Sequence, residues 1–250
     1  FSQHLDRLQQ MGVKILWIMP IQPIGKEKRK GSLGSYYSIA DYASTNPEFG
    51  TLEDFKNLVA EAHKRDMKVI LDWVANHTSW DHTWINSHRD WYSQNDQGEI
   101  IAPVEDWSDV ADLNYNNYDM RKAMEDDMIF WVREADIDGF RCDMAMMVPM
   151  DFWDSARVRL EELKPMFMLA EAEGPEFHAK AFDMSYGWEL HHLMNDIAKG
   201  HKSVNEIDYY LGKQDSLYSK YDYRMFFITN HDENSWNGTV GERMGANGQN

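Results

Sequence analysis

Three carboxylates, Asp143, Glu171 and Asp232, each follow a short apolar run that reads as a strand: 137–143, 166–171 and 225–232. In a barrel of parallel strands the C-terminal strand ends supply the catalytic side chains, so acids far apart in sequence can converge there. A converging pair of carboxylates is the equipment for cleaving a glycosidic bond, one protonating the leaving oxygen while the other attacks or activates water. One acid after a strand would mean little, because Asp also suits the helix N-caps that fall there. Arg141 precedes Asp143 by two residues. Strand period two points both side chains the same way, so the guanidinium can hold the carboxylate ionised. Taken alone, that pair is better read as a structural ion pair.

Elements must bring these side chains together. Residues 1–12 read as an amphipathic helix with Leu5, Leu8 and Met11 on one side and Gly12 as its stop. A strand at 13–19 closes at Pro20, and a Gly- and Lys-rich loop runs to about Tyr42. A helix from Leu52 to about Arg65 leads to a buried strand at 67–72. From 76 to 117 the chain is polar, Trp-rich and without periodicity, as in an inserted subdomain or a long functional loop. Helices at 119–134 and 152–163 lead into the Asp143 and Glu171 strands. This alternation predicts βαβ units and a parallel sheet. An open doubly wound sheet competes, but neither G-x-G-x-x-G nor G-x-x-x-x-G-K-[ST] occurs. The expected class is α/β, a (β/α)8 TIM barrel. With about six strands legible, it is expected to be partial, lacking the first and last strands.

Four segments then carry a resemblance. Asp72-Trp-Val-Ala-Asn76-His77, Gly139-Phe-Arg141-Cys-Asp143, Glu171 after its strand, and Phe227-Ile-Thr-Asn230-His231-Asp232 resemble, in order, the four sequence blocks of the α-amylase superfamily of retaining α-glycosidases. Asp112-Leu-Asn114 resembles a fifth, shorter block, and residues 34–42 with 46–51 resemble the segment bearing the family's aromatic sugar platform. The resemblance covers almost the whole chain. It implies a catalytic barrel with a domain-B-like insertion at 76–117. It further implies Asp143 as nucleophile, Glu171 as acid/base, and Asp232 binding sugar hydroxyls and favouring a distorted ring. Tyr37 would stack on that ring, with His77, Arg141, Asn230 and His231 around the substrate and Asp72 orienting Arg141 or Tyr37.

The implied activity is retaining hydrolysis of α-1,4-glucosidic bonds in starch-like glucans or maltooligosaccharides. The nearest alternatives are a cyclomaltodextrinase or neopullulanase, an α-glucosidase, or a 4-α-glucanotransferase. A non-catalytic glycan-binding or scaffold relative is a reading of a different class, against which all three carboxylates speak. No cofactor is required for the chemistry. Asn76 and Asp112 match positions that bind a structural calcium in many members, and oxygen ligands suit that ion. The chain departs from many α-amylases at Met146 and Met147, which stand where those carry Lys-His, a His whose carbonyl helps bind calcium.

The remaining features are less specific. A net charge of −17 argues against a nucleic-acid partner, since phosphate binding relies on excess Lys and Arg. No apolar stretch approaches the roughly 20 residues that span a bilayer. The substrate class favours an extracellular, periplasmic or cell-surface setting and leaves the cytoplasm open. Trp80, Trp84, Trp91 and Trp107 are candidates for sugar contact, though aromatics are also ordinary core material. His77, His82 and His88 fit no tight zinc spacing. The loop Lys26-Glu-Lys-Arg-Lys30 reads as a solvated turn. Cys142, the single cysteine, should face away from the site. The sequons at Asn76 and Asn237 are of a kind common by chance.

Overall fold

A computed structural model describes residues 1–249. The chain divides into two compact units, the first covering Phe1–Glu171 and the second beginning at Ala172. Among the described residues no helix is long and apolar enough to cross a membrane.

The first unit opens on a short helix α1 (Leu5–Gln10) preceded by a 3-10 turn. Only Leu5 of its expected apolar side is buried, whereas Met11 lies outside the helix and is 66% exposed. β1 (Ile15–Ile18) follows, and then α2 (Leu52–His63), whose start is fixed by a capping box. Thr51 Oγ1 accepts from the Asp54 amide while the Asp54 carboxylate accepts from the Thr51 amide, so two amides that the helix leaves free are satisfied. α2 buries Phe55, Val59 and Ala62. β2 (Lys68–Val74) is next, buried throughout except at Lys68.

The segment after β2, expected to be an insertion, holds β3 (His77–Ser79), α3 (Thr83–Ser87) and β4 (Val110–Asp112). β3 and β4 pair antiparallel, His77 opposite Asp112. Strands of three residues are too short to show period two in a sequence, which is why none was expected there. α4 (Tyr118–Ala135) is capped by the Asn117 side chain, which accepts from the Asp119 and Met120 amides. It packs Met120, Met124, Met128, Trp131 and Val132 inward and ends where Asp136 turns left-handed. β5 (Gly139–Asp143), α5 (Met150–Glu161) and β6 (Phe167–Ala170) complete the unit.

Within it, β1, β2, β5 and β6 are parallel neighbours in the order of the sequence. A doubly wound sheet reverses its strand order at a switch point. No reversal occurs across these four strands. Gly139 lets β5 approach β6, because a Cβ there would lie 1.8 Å from the Phe167 carbonyl oxygen.

In the second unit, β7 (Met184–Tyr186) and β8 (Tyr223–Met225) pair in parallel, Met184 opposite Tyr223. Between them run α6 (Trp188–Ala198) and α7 (Glu206–Leu217), and after them α8 (His231–Trp236) and α9 (Val240–Met244). The strand expected to run from Met225 to Asp232 ends at its first residue. Phe226 and Ile228 are about half exposed, and the Asn230 side chain accepts from the Glu233 amide at 2.7 Å. That cap starts α8, so Asp232 stands in a helical first turn and not at a strand end.

Candidate active site

Register builds the centre of the first unit. Asp72 on β2 lies opposite Arg141 on β5, and Val74 lies opposite Asp143. Cys142 lies opposite Ala170, one residue before Asp143 and Glu171 respectively. Arg141 therefore meets a carboxylate from each neighbouring strand and one from its own. Its Nη1 donates to Asp72 Oδ1 at 2.9 Å and Asp143 Oδ1 at 2.8 Å, and its Nη2 lies 2.7 Å from Glu171 Oε1. Arg141 and Asp72 are fully buried, and Asp143 and Glu171 nearly so.

One guanidinium cannot neutralise three carboxylates. Burial pushes the Asp143 carboxyl well above its usual range; Arg141 pulls it down, and the charges of Glu171 and Asp72 push it up again. Asp72 is raised too, by burial, against the pull of Arg141 and the donors Tyr37 and Trp17. The expectation that Arg141 can hold Asp143 ionised is thus opposed by burial and by two neighbouring charges, and carboxyls coupled this closely titrate as a group. Glu171 also accepts from the Met144 amide at 2.7 Å, and Met144 has a left-handed backbone, φ 44°. That amide favours the charged form of Glu171.

The Tyr37 hydroxyl donates to Asp72 Oδ2 at 3.0 Å, and its ring lies 6.0 Å from the Arg141 guanidinium carbon. His77 is buried, which lowers its pKa to about 4 and leaves it neutral at physiological pH. Its Nδ1 lies 3.2 Å from the Asn76 amide nitrogen. The Tyr42 hydroxyl donates to the carbonyls of Val74 and His77, pinning the bend from β2 into β3.

In the second unit Asp232 Oδ2 lies 3.3 Å from His231 Nε2, and both side chains are partly exposed. Asn230 spends its amide oxygen on capping α8. Behind them sits a carboxylate that sequence reasoning passed over. Glu233 meets His191 Nε2 at 3.0 Å, the Asn237 amide at 3.1 Å and Arg243 Nη1 at 3.3 Å.

Trp17 is the other omission. Its Nε1 donates to Asp72 Oδ2 at 3.0 Å, and its ring lies 4.9 Å from the Arg141 guanidinium carbon. The contact spans 55 residues, and nothing local in β1 signals it.

The four suspected tryptophans divide. Trp84 packs edge-on against Trp91, which stacks on His88 at 3.9 Å, so both build the interior of the insertion. Trp107 stands edge-on to His77 at 5.7 Å. Trp80 is covered by the Lys28 ammonium, 3.2 Å from its ring centroid. Lys30 pairs with Asp109, and the Lys26 amide donates to Asp81. The basic loop is therefore a solvated turn, as expected, that also touches residues 80, 81 and 109.

His82 caps α3 and His88 stacks on Trp91, so they do not gather with His77 as zinc ligands. Asn76 is buried, which closes its sequon in the folded chain. A calcium ion takes six to eight oxygens. Asn76 turns its amide nitrogen to His77, and no cation pairs with Asp112 among the described residues. Asn76 and Asp112 would supply at most part of such a set, the rest coming from backbone carbonyls or water.

Comparison with known proteins agrees with this frame. The model of the alpha amylase catalytic domain matches residues 1–108 and 104–244. A trehalose-6-phosphate hydrolase of Bacillus subtilis is 35% identical over 181 residues, 60% of this chain and 31% of that protein. An alpha-amylase from Lactobacillus plantarum is 37% identical with a TM-score of 0.86, over 92% of this chain and 58% of that one. A maltogenic alpha-amylase, AmyB, from Thermotoga neapolitana is 38% identical with a TM-score of 0.88, over 92% of this chain and 54% of that one. The chain thus spans about a third of that curated relative's length and a little over half of the two solved structures. Its strands are those of a partial (β/α)8 barrel, and the chain belongs to the alpha-amylase family, matching its catalytic domain.

Proposed function

We propose that this chain carries the chemical centre of a retaining glycoside hydrolase that cleaves α-1,4-glucosidic bonds in starch-like glucans or maltooligosaccharides. The observation that supports the reading is the buried Arg141 guanidinium joined at once to Asp72, Asp143 and Glu171. Both carboxyls of the proposed pair meet on one guanidinium, and a retaining pair, spaced about 5–5.5 Å, is what the family resemblance implies.

Asp143 attacks the anomeric carbon as the Glu171 carboxyl gives its proton to the departing glycosidic oxygen. The resulting glycosyl ester on Asp143 is then cleaved by water, whose proton Glu171 takes back. The reading requires Glu171 to begin protonated and Asp143 to be ionised, and Arg141 stays beside Asp143 to carry its charge when it is released. His77, neutral, is a donor for sugar hydroxyls, and Tyr37 offers its ring face. The roles of Asp232, Asn230 and His231 rest on the resemblance alone. So does calcium at Asn76 and Asp112, through which no step here runs.

The names of the similar proteins support a second reading within the same chemistry, short-chain or maltogenic action. Product release from soluble starch, maltoheptaose and β-cyclodextrin separates the two, with Asp143→Asn alongside. Mixed-length reducing sugars from starch, α-anomeric at first and lost in the variant, are expected. Preference for the ring or for maltose release moves the assignment to a cyclomaltodextrinase or maltogenic enzyme. Glucan binding without turnover supports the non-catalytic reading.

A further inference from the structure

We propose that Trp17 is a positioning residue of the carboxylate cluster: its indole fixes Asp72 and covers the Arg141 guanidinium, and so sets how Arg141 meets Asp143 and Glu171. The inference rests on the reading of Asp143 and Glu171 given above.

Asp72 Oδ2 accepts from Trp17 Nε1 at 3.0 Å, from the Tyr37 hydroxyl at 3.0 Å and from Arg141 Nη1 at 3.2 Å, while Oδ1 accepts from Arg141 Nη1 at 2.9 Å. A carboxylate held by three donors from three segments cannot turn about its Cβ–Cγ bond without breaking one of them. Trp17 reaches it from β1, where it lies opposite Ile70, two residues before Asp72 on the adjacent strand. The same indole places its ring 4.9 Å from the guanidinium carbon, within the range of a cation–π contact. Carboxylates take the N–H groups of the guanidinium while its carbon stands over the Trp17 ring, so both sets of contacts restrict how the group can turn. An indole needed only as core filler would turn its N–H to a backbone carbonyl, as Trp131 and Trp153 do in this chain. Trp17 turns it to the carboxylate that orients Arg141.

Two substitutions separate the ring from its N–H. Trp17→Phe keeps an aromatic face and removes the donor, and Trp17→Leu removes both. With maltoheptaose as substrate, Trp17→Phe is expected to lower kcat about tenfold with KM within about twofold, as small misplacement of a reacting group does, and Trp17→Leu to lower it further. A raised KM with unchanged kcat would make Trp17 a substrate contact and overturn the proposal. So would an unchanged kcat with a lowered Tm, which marks core packing. Independently of turnover, a double-mutant cycle of Trp17→Phe with Asp72→Asn, read by thermal unfolding, is expected to be non-additive, and additivity overturns the proposal. Failure of the site reading looks different: the wild-type protein inactive on every glucan, or Asp143→Asn as active as wild type, with the cycle still coupled.

Discussion

Two buried clusters in this chain each set an arginine against carboxylate, and they reach opposite electrostatic states. In the first unit Arg141 serves Asp72, Asp143 and Glu171, and burial leaves Asp143 and Asp72 raised above ordinary carboxylates. In the second unit Glu233 is served by His191, Asn237 and Arg243. Burial pushes it up, but those donors outweigh burial and leave it below the ordinary value. A carboxylate with surplus donors is fixed in one charge state and one orientation, which suits a brace. Carboxylates that must share a single cation keep a proton available, which suits acid/base chemistry.

Substitutions should sharpen that contrast. The largest effect is expected on turnover: Asp143→Asn should lower kcat by at least about 10^4-fold, as loss of a covalent nucleophile does, measured on maltoheptaose. The same variant should melt no lower than wild type, because it removes a charge from an over-acidic cluster; a clear loss of Tm would break the comparison. Arg141→Gln strands three carboxyls, and chemical denaturation should register a loss of about 3–5 kcal/mol. Glu233→Gln weakens a satisfied network and should cost about 1–3 kcal/mol by the same measurement.

Acid should move the two clusters in opposite directions. A raised folded pKa such as that of Asp143 penalises folding at high pH, and the penalty is relieved as pH falls through that pKa. The stability gained by Asp143→Asn should therefore shrink on acidification. A lowered folded pKa such as that of Glu233 adds stability above the unfolded value and loses it as pH falls through the folded one. The cost of Glu233→Gln should shrink on acidification as well, but from the opposite sign. Tm measured across pH for both variants checks this, and parallel rather than converging curves would count against it.

Much of the sheet was legible because parallel strands and amphipathic helices leave local signals. β2, β5 and β6 fall within one or two residues of their expected places, since Val69–Leu71, Phe140 and Met168–Ala170 form dense apolar runs. The run Met225–Ile228 misled because apolar residues there remain half exposed, while the decisive signal was the N-cap of Asn230 with Glu233 three residues on. Asp143, Glu171 and Arg141 were legible as a set because register and period fix them. Trp17 was not, because its role exists only once β1 lies beside β2. The acidity of the cluster was misjudged for a related reason. From the sequence Arg141 is paired with Asp143 and left to share Asp72 with Tyr37, and folding adds Glu171.

Cys142 is the only thiol in the chain, and it lies wholly buried between Arg141 and Asp143. Burial pushes its pKa well above the usual value, so the folded thiol is both covered and protonated. A thiol reagent can reach it only when the packing over β5 opens, and the labelling rate then counts those openings. The strand bearing the proposed nucleophile thus carries its own clock, one that reports how often its cover lifts without any substrate being turned over.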